Sequence, residues 1–335
     1  MKKALITGIT GQDGSYLAEF LLGKGYTVVG MVYSDKLGLE NIKDIKDKLI
    51  LERGNLADFE SLKTLIVKHK PDEIYNLGGI TFVPASWGKP VSTFDVNALG
   101  PVRIMTIIRD FLPNSRFYQA STAKIFGDPA ENPQSEKTTI APKDPYAVSK
   151  AAAHFSVQNF RSHFNLFTVS GILYNHESER RGEDFVTRKI SLGAVKIKLG
   201  MAEKLALGNL EAKQDWGYAP DYVEAMWQML QGEKPDDFII ATGVLHSVKD
   251  VCQIVFEELS LDWKKYIVRD KRFYRKENPQ ALYGDAGKAK KILGWRPKTS
   301  FKEMMQKMVR YDYDFIKNHN KLNSNSNSNS NYSKN

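Results

Sequence analysis

The chain opens MKKALITGITGQDGSYLAEFLL (Met1–Leu22): a short apolar run, then Gly8, Gly11 and Gly14, then a helical stretch. Strand, GxxGxxG turn and helix in that order form a cradle for a dinucleotide. Glycine permits the tight turn, close approach of backbone to pyrophosphate and close helix–strand contact. The helix amino terminus, Gln12-Asp13-Gly14, then offers free N–H groups to the phosphates. Three glycines alone say little, since any strand–helix turn can contain them; their place after the first strand gives them meaning.

Outward from this turn, short apolar runs alternate with helical stretches to about residue 175. YTVVGMVY, LILERGNL, DEIYNLGG, RFYQAST and LFTVSGILYN read as strands. SYLAEFLLGKG, DFESLKTLIVKHK, a stretch over roughly 90–111 and the segment after Pro145 read as helices. Such alternation implies an α/β fold, a doubly wound parallel Rossmann-type sheet, whose ligands bind at the carboxyl ends of the strands. The expected division is a dinucleotide domain of 1–175 plus about 233–259, and a smaller α/β substrate lobe of about 176–232 and 260–320. The closing NSNSNSNSNYSKN has no means of burying surface, so 321–335 is expected to be a structureless tail.

Composition bounds the function. The chain is 42% apolar and 26% charged, ordinary for a soluble protein, and holds no apolar run near the ~20 residues of a membrane span. The opening residues lead straight into a strand rather than a secretory signal, so a cytoplasmic protein is expected. The formal charge of +9 is dispersed among acids, as in KDIKDKLILERG, which argues against nucleic acid. The single cysteine, Cys252, excludes an internal disulfide, and six histidines without ligand spacing give no metal site.

The second strand ends Val32-Tyr33-Ser34-Asp35. An acid about 20 residues past the turn suits the ribose hydroxyls of NAD and would repel the 2′-phosphate of NADP, so NAD is expected; Lys36 beside it leaves NADP as the alternative. Asn55 and Leu56, and Leu77 to Gly79, stand at later strand ends, placed to line the adenine and the middle of the cofactor. In DPYAVSKAAAHF, Tyr146 and Lys150 are four residues apart and share a helical face. The strand before them ends Ala120-Ser121-Thr122, supplying hydroxyls at the sheet edge. A nearby ammonium favours phenolate, the form in which tyrosine is a general base. Tyr313 and Lys317 repeat the spacing in a context that fits an exposed helix face.

Gly8–Gly14, Ser121-Thr122, Tyr146 and Lys150 resemble the extended short-chain dehydrogenase/reductases. GITGQDGSYLAEFLL, GILYNHES, FVTRKI, LGNLEAK, DYVEAMW and IATGVLHSV resemble, more narrowly, GDP-mannose 4,6-dehydratases over nearly all of 3–310. The resemblance implies a GDP-sugar in the smaller lobe and oxidation of its C4 hydroxyl, with Tyr146 as base, Lys150 on the nicotinamide ribose and Thr122 on the substrate hydroxyl. It implies cofactor contacts from His176 and Arg181 and substrate contacts from Asn175, Val186, Lys189 and Arg275. It also implies a homodimer joined through a four-helix contact of roughly 90–111 and 146–164.

Departures from the family pattern refine that expectation. The resemblance calls for Ser-Thr-Ser-Glu at the strand end, the glutamate serving as acid/base in water loss; here the residues are Ser121-Thr122-Ala123-Lys124. Gln214 stands where the family has arginine, and Lys276–Pro279 alters a nucleotide-lobe motif. Read literally, these residues predict an NAD-dependent GDP-sugar 4-dehydrogenase, on GDP-mannose or a GDP-manno-heptose, that stops at the 4-keto sugar. The alternatives are a 4,6-dehydratase with another acid, a 4-keto-GDP-sugar reductase, and a nucleotide sensor that needs neither Tyr146 nor Lys150.

Overall fold

A computed structural model describes residues 1–34, 38–273 and 281–329, with side chains as far as 318. The chain forms two compact units. The larger comprises Met1–His176, Asp215–Val244 and Leu282–Lys298; the smaller comprises Glu177–Gln214, Leu245–Ala281 and Thr299–Asn335.

In chain order come β1 (Lys3–Thr7), α1 (Gln12–Gly23), β2 (Thr27–Val32), β3 (Ile50–Arg53), α2 (Phe59–His69) and β4 (Glu73–Asn76). Next are α3 (Val83–Gly88), α4 (Pro90–Phe94), a turn of π-helix at Asp95–Leu99, α5 (Gly100–Phe111) and β5 (Arg116–Thr122). Then follow α6 (Pro145–Phe164), β6 (Thr168–Leu173), β7 (Asn175–Glu177), α7 (Val186–Lys198), β8 (Leu205–Leu207) and β9 (Lys213–Tyr218). The rest is α8 (Ala219–Met229), β10 (Phe238–Ile240), β11 (Leu245–Ser247), α9 (Val248–Glu258), α10 (Trp263–Tyr266), β12 (Ile267–Arg269), α11 (Gly287–Ile292) and α12 (Phe301–Asn329).

The larger unit is built on a seven-stranded sheet in the order β10-β6-β5-β4-β1-β2-β3, with parallel pairing throughout. The order reverses between β1 and β4, which opens a crevice at their carboxyl ends. Alternation along β1 covers both faces of the sheet. Ala4 and Ile6 pack with Leu17 and Leu21 of α1 and with Tyr222 and Met226 of α8. Leu5 packs oppositely, with Ile66 of α2 and Ile104 and Ile108 of α5. Each such aliphatic side chain, fully removed from water, contributes about 1.5–3 kcal/mol.

The smaller unit contains β8 paired parallel with β12, Leu205 opposite Ile267. Its helices α7, α9 and α12 pack on one another, and Met304, Met305, Met308 and Val309 of α12 are fully buried. Arg188 of α7 pairs with the buried Asp312 at 2.6 Å, and Ser191 donates to the same carboxylate at 2.6 Å. Burial outweighs these partners and pushes the Asp312 carboxyl up to about 6.

The division differs from the sequence reading in three places. Helix α8 belongs to the larger unit, where Tyr222, Val223 and Met226 complete the α1 face of the sheet. Helix α9 belongs to the smaller one, against α7 and α12. Residues 282–298 return to the larger unit, where Trp295 donates to the Asp221 carbonyl at 2.8 Å. Amphipathic patterning reveals that a helix has a buried face but not which surface covers it. The last helix also continues to Asn329, past the point where the sequence ended the folded chain. Helical hydrogen bonds join residues only four apart, so the backbone of a helix can run on past the end of an apolar pattern in the sequence.

Candidate functional site: the carboxyl edge of the large sheet

The glycine turn leaves β1 directly at the crevice. Gly8 has φ +70°, and a Cβ there would lie 2.8 Å from the Gly78 amide nitrogen. At Gly14 a Cβ would lie 2.2 Å from the Gly8 carbonyl oxygen, an impossible approach. The backbones of the β1 turn, the start of α1 and the end of β4 thus meet closely enough that only glycine fits at both places. Thr7 supports the turn from below: its hydroxyl donates to Asn76 Oδ1 at 2.7 Å and accepts from the Leu77 and Gly78 amides at 3.1 and 2.9 Å. Asn76 donates onward to Gln119 at 2.8 Å, and Gln119 to the Ala120 carbonyl at 2.9 Å. A polar ladder therefore joins the ends of β1, β4 and β5.

Helix α6 starts where its sequence says it should. The Asp144 side chain accepts from the Ala147 amide at 2.8 Å and Pro145 takes the first helical position. Tyr146 is 9% exposed and Lys150 4%. The Lys150 ammonium donates to the Ala120 carbonyl at 2.8 Å and lies 6.0 Å from the centre of the Tyr146 ring. Burial lowers the Lys150 amine to about 8, with the Asp13 carboxylate pulling in the opposite direction. Ser121 has a buried hydroxyl with no hydrogen-bond partner among the described residues. Thr122 Oγ1 caps the short turn Ala123–Phe126 by accepting from the Lys124 amide at 3.3 Å. Lys124 itself is half-buried.

Asn97 is the residue the sequence did not single out. It sits in the π-helical turn between α4 and α5, a local irregularity often found at functional sites. Its side chain accepts from the Ile80 amide and donates to the Ile80 carbonyl, both at 2.9 Å, and reaches Ser149 Oγ at 3.2 Å. A Cβ on Gly79 would lie 2.8 Å from Asn97 Oδ1 and 3.9 Å from Lys150 Nζ. Gly79, Asn97 and Lys150 therefore line one place. An asparagine in a helical run carries no periodic signal, and only the π-helical turn reveals it.

Other expected cofactor residues are placed with less direct access. Asn55 closes its own turn by accepting from the Ala57 amide at 2.9 Å, and Leu56 is 6% exposed in the core under α5. Leu77 is half-buried at the end of β4. Asn175 opens β7, and the next residue, His176, has both ring nitrogens engaged: Nδ1 is 2.8 Å from the Tyr174 carbonyl and Nε2 is 2.8 Å from Asp13 Oδ2. Asp35 and Arg275 lie outside the described residues.

In the smaller unit, Glu177 binds Arg181 at 3.1 Å and accepts from Thr187 Oγ1 at 2.5 Å. Val186 begins α7. Lys189 stands 3.5 Å over the Phe273 ring, and burial lowers its amine. Of the acids that could replace the absent glutamate, Glu136 is tied to the Ile239 amide of β10 at 2.9 Å, and Glu177 is held as described. Glu131 lies in the loop beyond β5, where its carbonyl accepts from Gln134 at 3.0 Å.

A profile of the family described as GDP-mannose 4,6 dehydratase matches residues 5–308, which takes in the glycine turn, Tyr146 and Lys150. The chain belongs to the GDP-mannose 4,6-dehydratase family. It is similar to the Arabidopsis thaliana GDP-mannose 4,6 dehydratase 2, 46% identical over 329 residues that cover 94% of this chain and 88% of that one. The Homo sapiens GDP-mannose 4,6 dehydratase is 43% identical over 342 residues, 94% and 92% of the two chains. Among solved structures, the Thermotoga maritima UDP-glucose 4-epimerase with UDP-glucose superposes with TM-score 0.84 at 22% identity, over 94% of this chain and 99% of that one. The Bacillus anthracis dTDP-glucose 4,6-dehydratase in complex with NAD gives 0.80 at 21%, over 93% and 96%. At those identities the structures speak for the fold: the Rossmann-type sheet of the family with its helices on both faces. Among the described residues no helix is long and apolar enough to cross a membrane.

Proposed function

We propose that the chain oxidises the C4 hydroxyl of a GDP-sugar with NAD and carries the intermediate through to loss of water, as a 4,6-dehydratase. The observation that carries this reading is the Tyr146–Lys150 pair, whose ammonium is bonded to the end of β5, in a chain 46% identical to a protein of that name. The relatives support this dehydratase over an enzyme that stops at the ketone. The turn fits a dinucleotide, because the space that side chains would fill at Gly8 and Gly14 is occupied by neighbouring backbone. NAD held there would supply the hydride acceptor for oxidation at C4 and, once reduced to NADH, the hydride donor for C6.

The chain's own groups divide the proton work. Tyr146, as phenolate, takes the C4 hydroxyl proton, and the buried Lys150 ammonium beside it favours that form. Thr122 and the Ser121 hydroxyl, which has no hydrogen-bond partner among the described residues, would hold the sugar at the strand end. Water loss needs a base for the C5 proton and an acid for the C6 hydroxyl. Lys124 is the titratable side chain of the turn that follows Thr122. Its neutral amine would take the C5 proton and return it to the departing hydroxyl, leaving the 5,6-alkene and water.

Lys124 also favours a second reading, in which an ammonium in place of a carboxylate leaves elimination unassisted and the product is the 4-keto sugar. One experiment separates the two: incubation with NAD and GDP-mannose or a GDP-manno-heptose, trapping with borodeuteride, and mass spectrometry. Net loss of water supports the dehydratase. Loss of two hydrogens, with deuterium at C4 and C6 still hydroxylated, supports the 4-dehydrogenase.

The working form would be a cytoplasmic homodimer. Leu99, and Val148 and Phe155 seven residues apart on one face of α6, expose 39–48% of their surface, and a second copy would cover this apolar surface through a four-helix contact. Sedimentation as a monomer at micromolar concentration would rule this out.

A further inference from the structure

The dinucleotide turn contains a carboxylate, Asp13, in the first turn of α1. Such a charge is welcome at a helix amino terminus but unwelcome beside a pyrophosphate of the same sign. In the larger unit this charge is paired. Asp13 Oδ2 lies 2.8 Å from His176 Nε2, and Oδ1 accepts from Gln12 Nε2 at 3.0 Å. Gln12 Nε2 also reaches the His176 carbonyl, at 3.1 Å. The other ring nitrogen of His176 stands 2.8 Å from the Tyr174 carbonyl, which can only accept. A ring with an acceptor at each nitrogen is satisfied in both bonds as imidazolium. That ring is 9% exposed and stacks on Tyr222 with centroids 4.7 Å apart and planes at 21°.

We infer that His176 is a positioning residue for the phosphate-binding turn, which acts through Asp13: it turns the carboxylate inward and cancels its charge, so that an acidic turn can hold a dinucleotide pyrophosphate. This differs from a direct cofactor contact, because the ring's donors are already committed to protein oxygens. It rests on the dinucleotide reading of the glycine turn. The position of Asp13 within the field of Lys150 gives the latch a second consequence, since a carboxylate freed from His176 becomes a stronger counter-charge for that ammonium.

The test is a double-substitution cycle read by direct NAD binding, with ADP-ribose as a second probe, in the full-length chain by calorimetry. His176→Gln is expected to weaken NAD and ADP-ribose about tenfold or more, because an unscreened charge within several ångströms of the pyrophosphate is costly at the partial dielectric of a cleft. Asp13→Asn is expected to bind within about threefold of wild type, and the double variant to bind tighter than His176→Gln alone. A ring that served only as packing would give no such rescue. Unchanged binding by His176→Gln, or a double variant no tighter than it, overturns the inference. If His176→Gln fails to fold, Asp13→Asn decides alone: a loss beyond tenfold means Asp13 contacts the dinucleotide directly. Failure of the wild-type chain to bind NAD would overturn the cofactor reading and this inference together, whereas normal wild-type binding with an indifferent cycle removes only the latch.

Discussion

Lys150 Nζ donates to the carbonyl oxygen of Ala120 at 2.8 Å, tying the second turn of α6 to the strand end that presents Ser121 and Thr122. One bond thereby fixes the proton-transfer helix to the hydroxyl-bearing edge of the sheet. It also holds an ammonium in a site where burial has brought its amine to about 8.

This placement makes Tyr146 the group whose loss should be purely chemical. Tyr146→Phe keeps the ring in its nearly buried position and removes only the hydroxyl. Single-turnover reduction of NAD with GDP-mannose should fall by about 10²- to 10⁴-fold, the range for loss of a positioned general base. NAD binding should change less than twofold. A nucleotide sensor would show no turnover to lose, and equal turnover in the variant would remove Tyr146 from the chemistry.

The buried ammonium predicts a pH dependence of stability. Its ordinary value of 10.5 stands against about 8 in the fold, and the gap corresponds to about 3 kcal/mol. Below pH 8 both folded and unfolded chains hold the proton, and the full cost of burying the charge is present. Between 8 and 10.5 the folded chain releases the proton first, so stability rises with pH. Compared with Lys150→Met in the absence of cofactor, wild type should therefore gain up to about 3 kcal/mol across that window. Urea titrations at several pH values measure it; a constant difference would place the titration elsewhere.

Much of this site was legible in the sequence because backbone constraints and helical spacing leave local marks. Gly8 and Gly14 sit where a side chain cannot, and Tyr146 and Lys150 share a face because four residues make about one helical turn. What was not legible depends on pairs far apart in the chain. The partner of Asp13 is 163 residues away, and nothing in NHES or GQDG specifies that they meet. The memberships of α8 and α9 were read in reverse for the same reason: both are amphipathic, and only the surface receiving them differs. Asn97 escaped because its role comes from a π-helical turn, which no apolar period announces.

Asn97 should accordingly matter for stability as well as for the cofactor. Asn97→Ala would leave the Ile80 amide and carbonyl without the two 2.9 Å bonds they now make, and the side chain it removes is only 2% exposed. Leaving such groups unpaired costs about 1–3 kcal/mol each when they stay buried. The denaturation midpoint should drop with an unchanged slope, and NAD affinity should fall with it, since Gly79 rests against Asn97. An unshifted midpoint would mean that water replaces the amide there.

Lys124 gives the prediction with the most chemical content. Its amide is already bound to Thr122 Oγ1, so changing the side chain leaves the backbone turn capped. If the amine carries the C5 proton to the C6 hydroxyl, Lys124→Met should still reduce NAD at C4 but yield no dehydrated sugar, shifting the trapped product to the C6-hydroxylated form. Lys124→Glu should retain water loss, because a carboxylate can also take and return that proton. Its rate should extend to lower pH than wild type, since a carboxylate stays basic where an amine is protonated. Product masses from three proteins decide the matter. Dehydration by Lys124→Met at the wild-type rate would take Lys124 out of the elimination, and a wild-type enzyme that never loses water while Lys124→Glu does would establish that this one ammonium halts the reaction at the ketone.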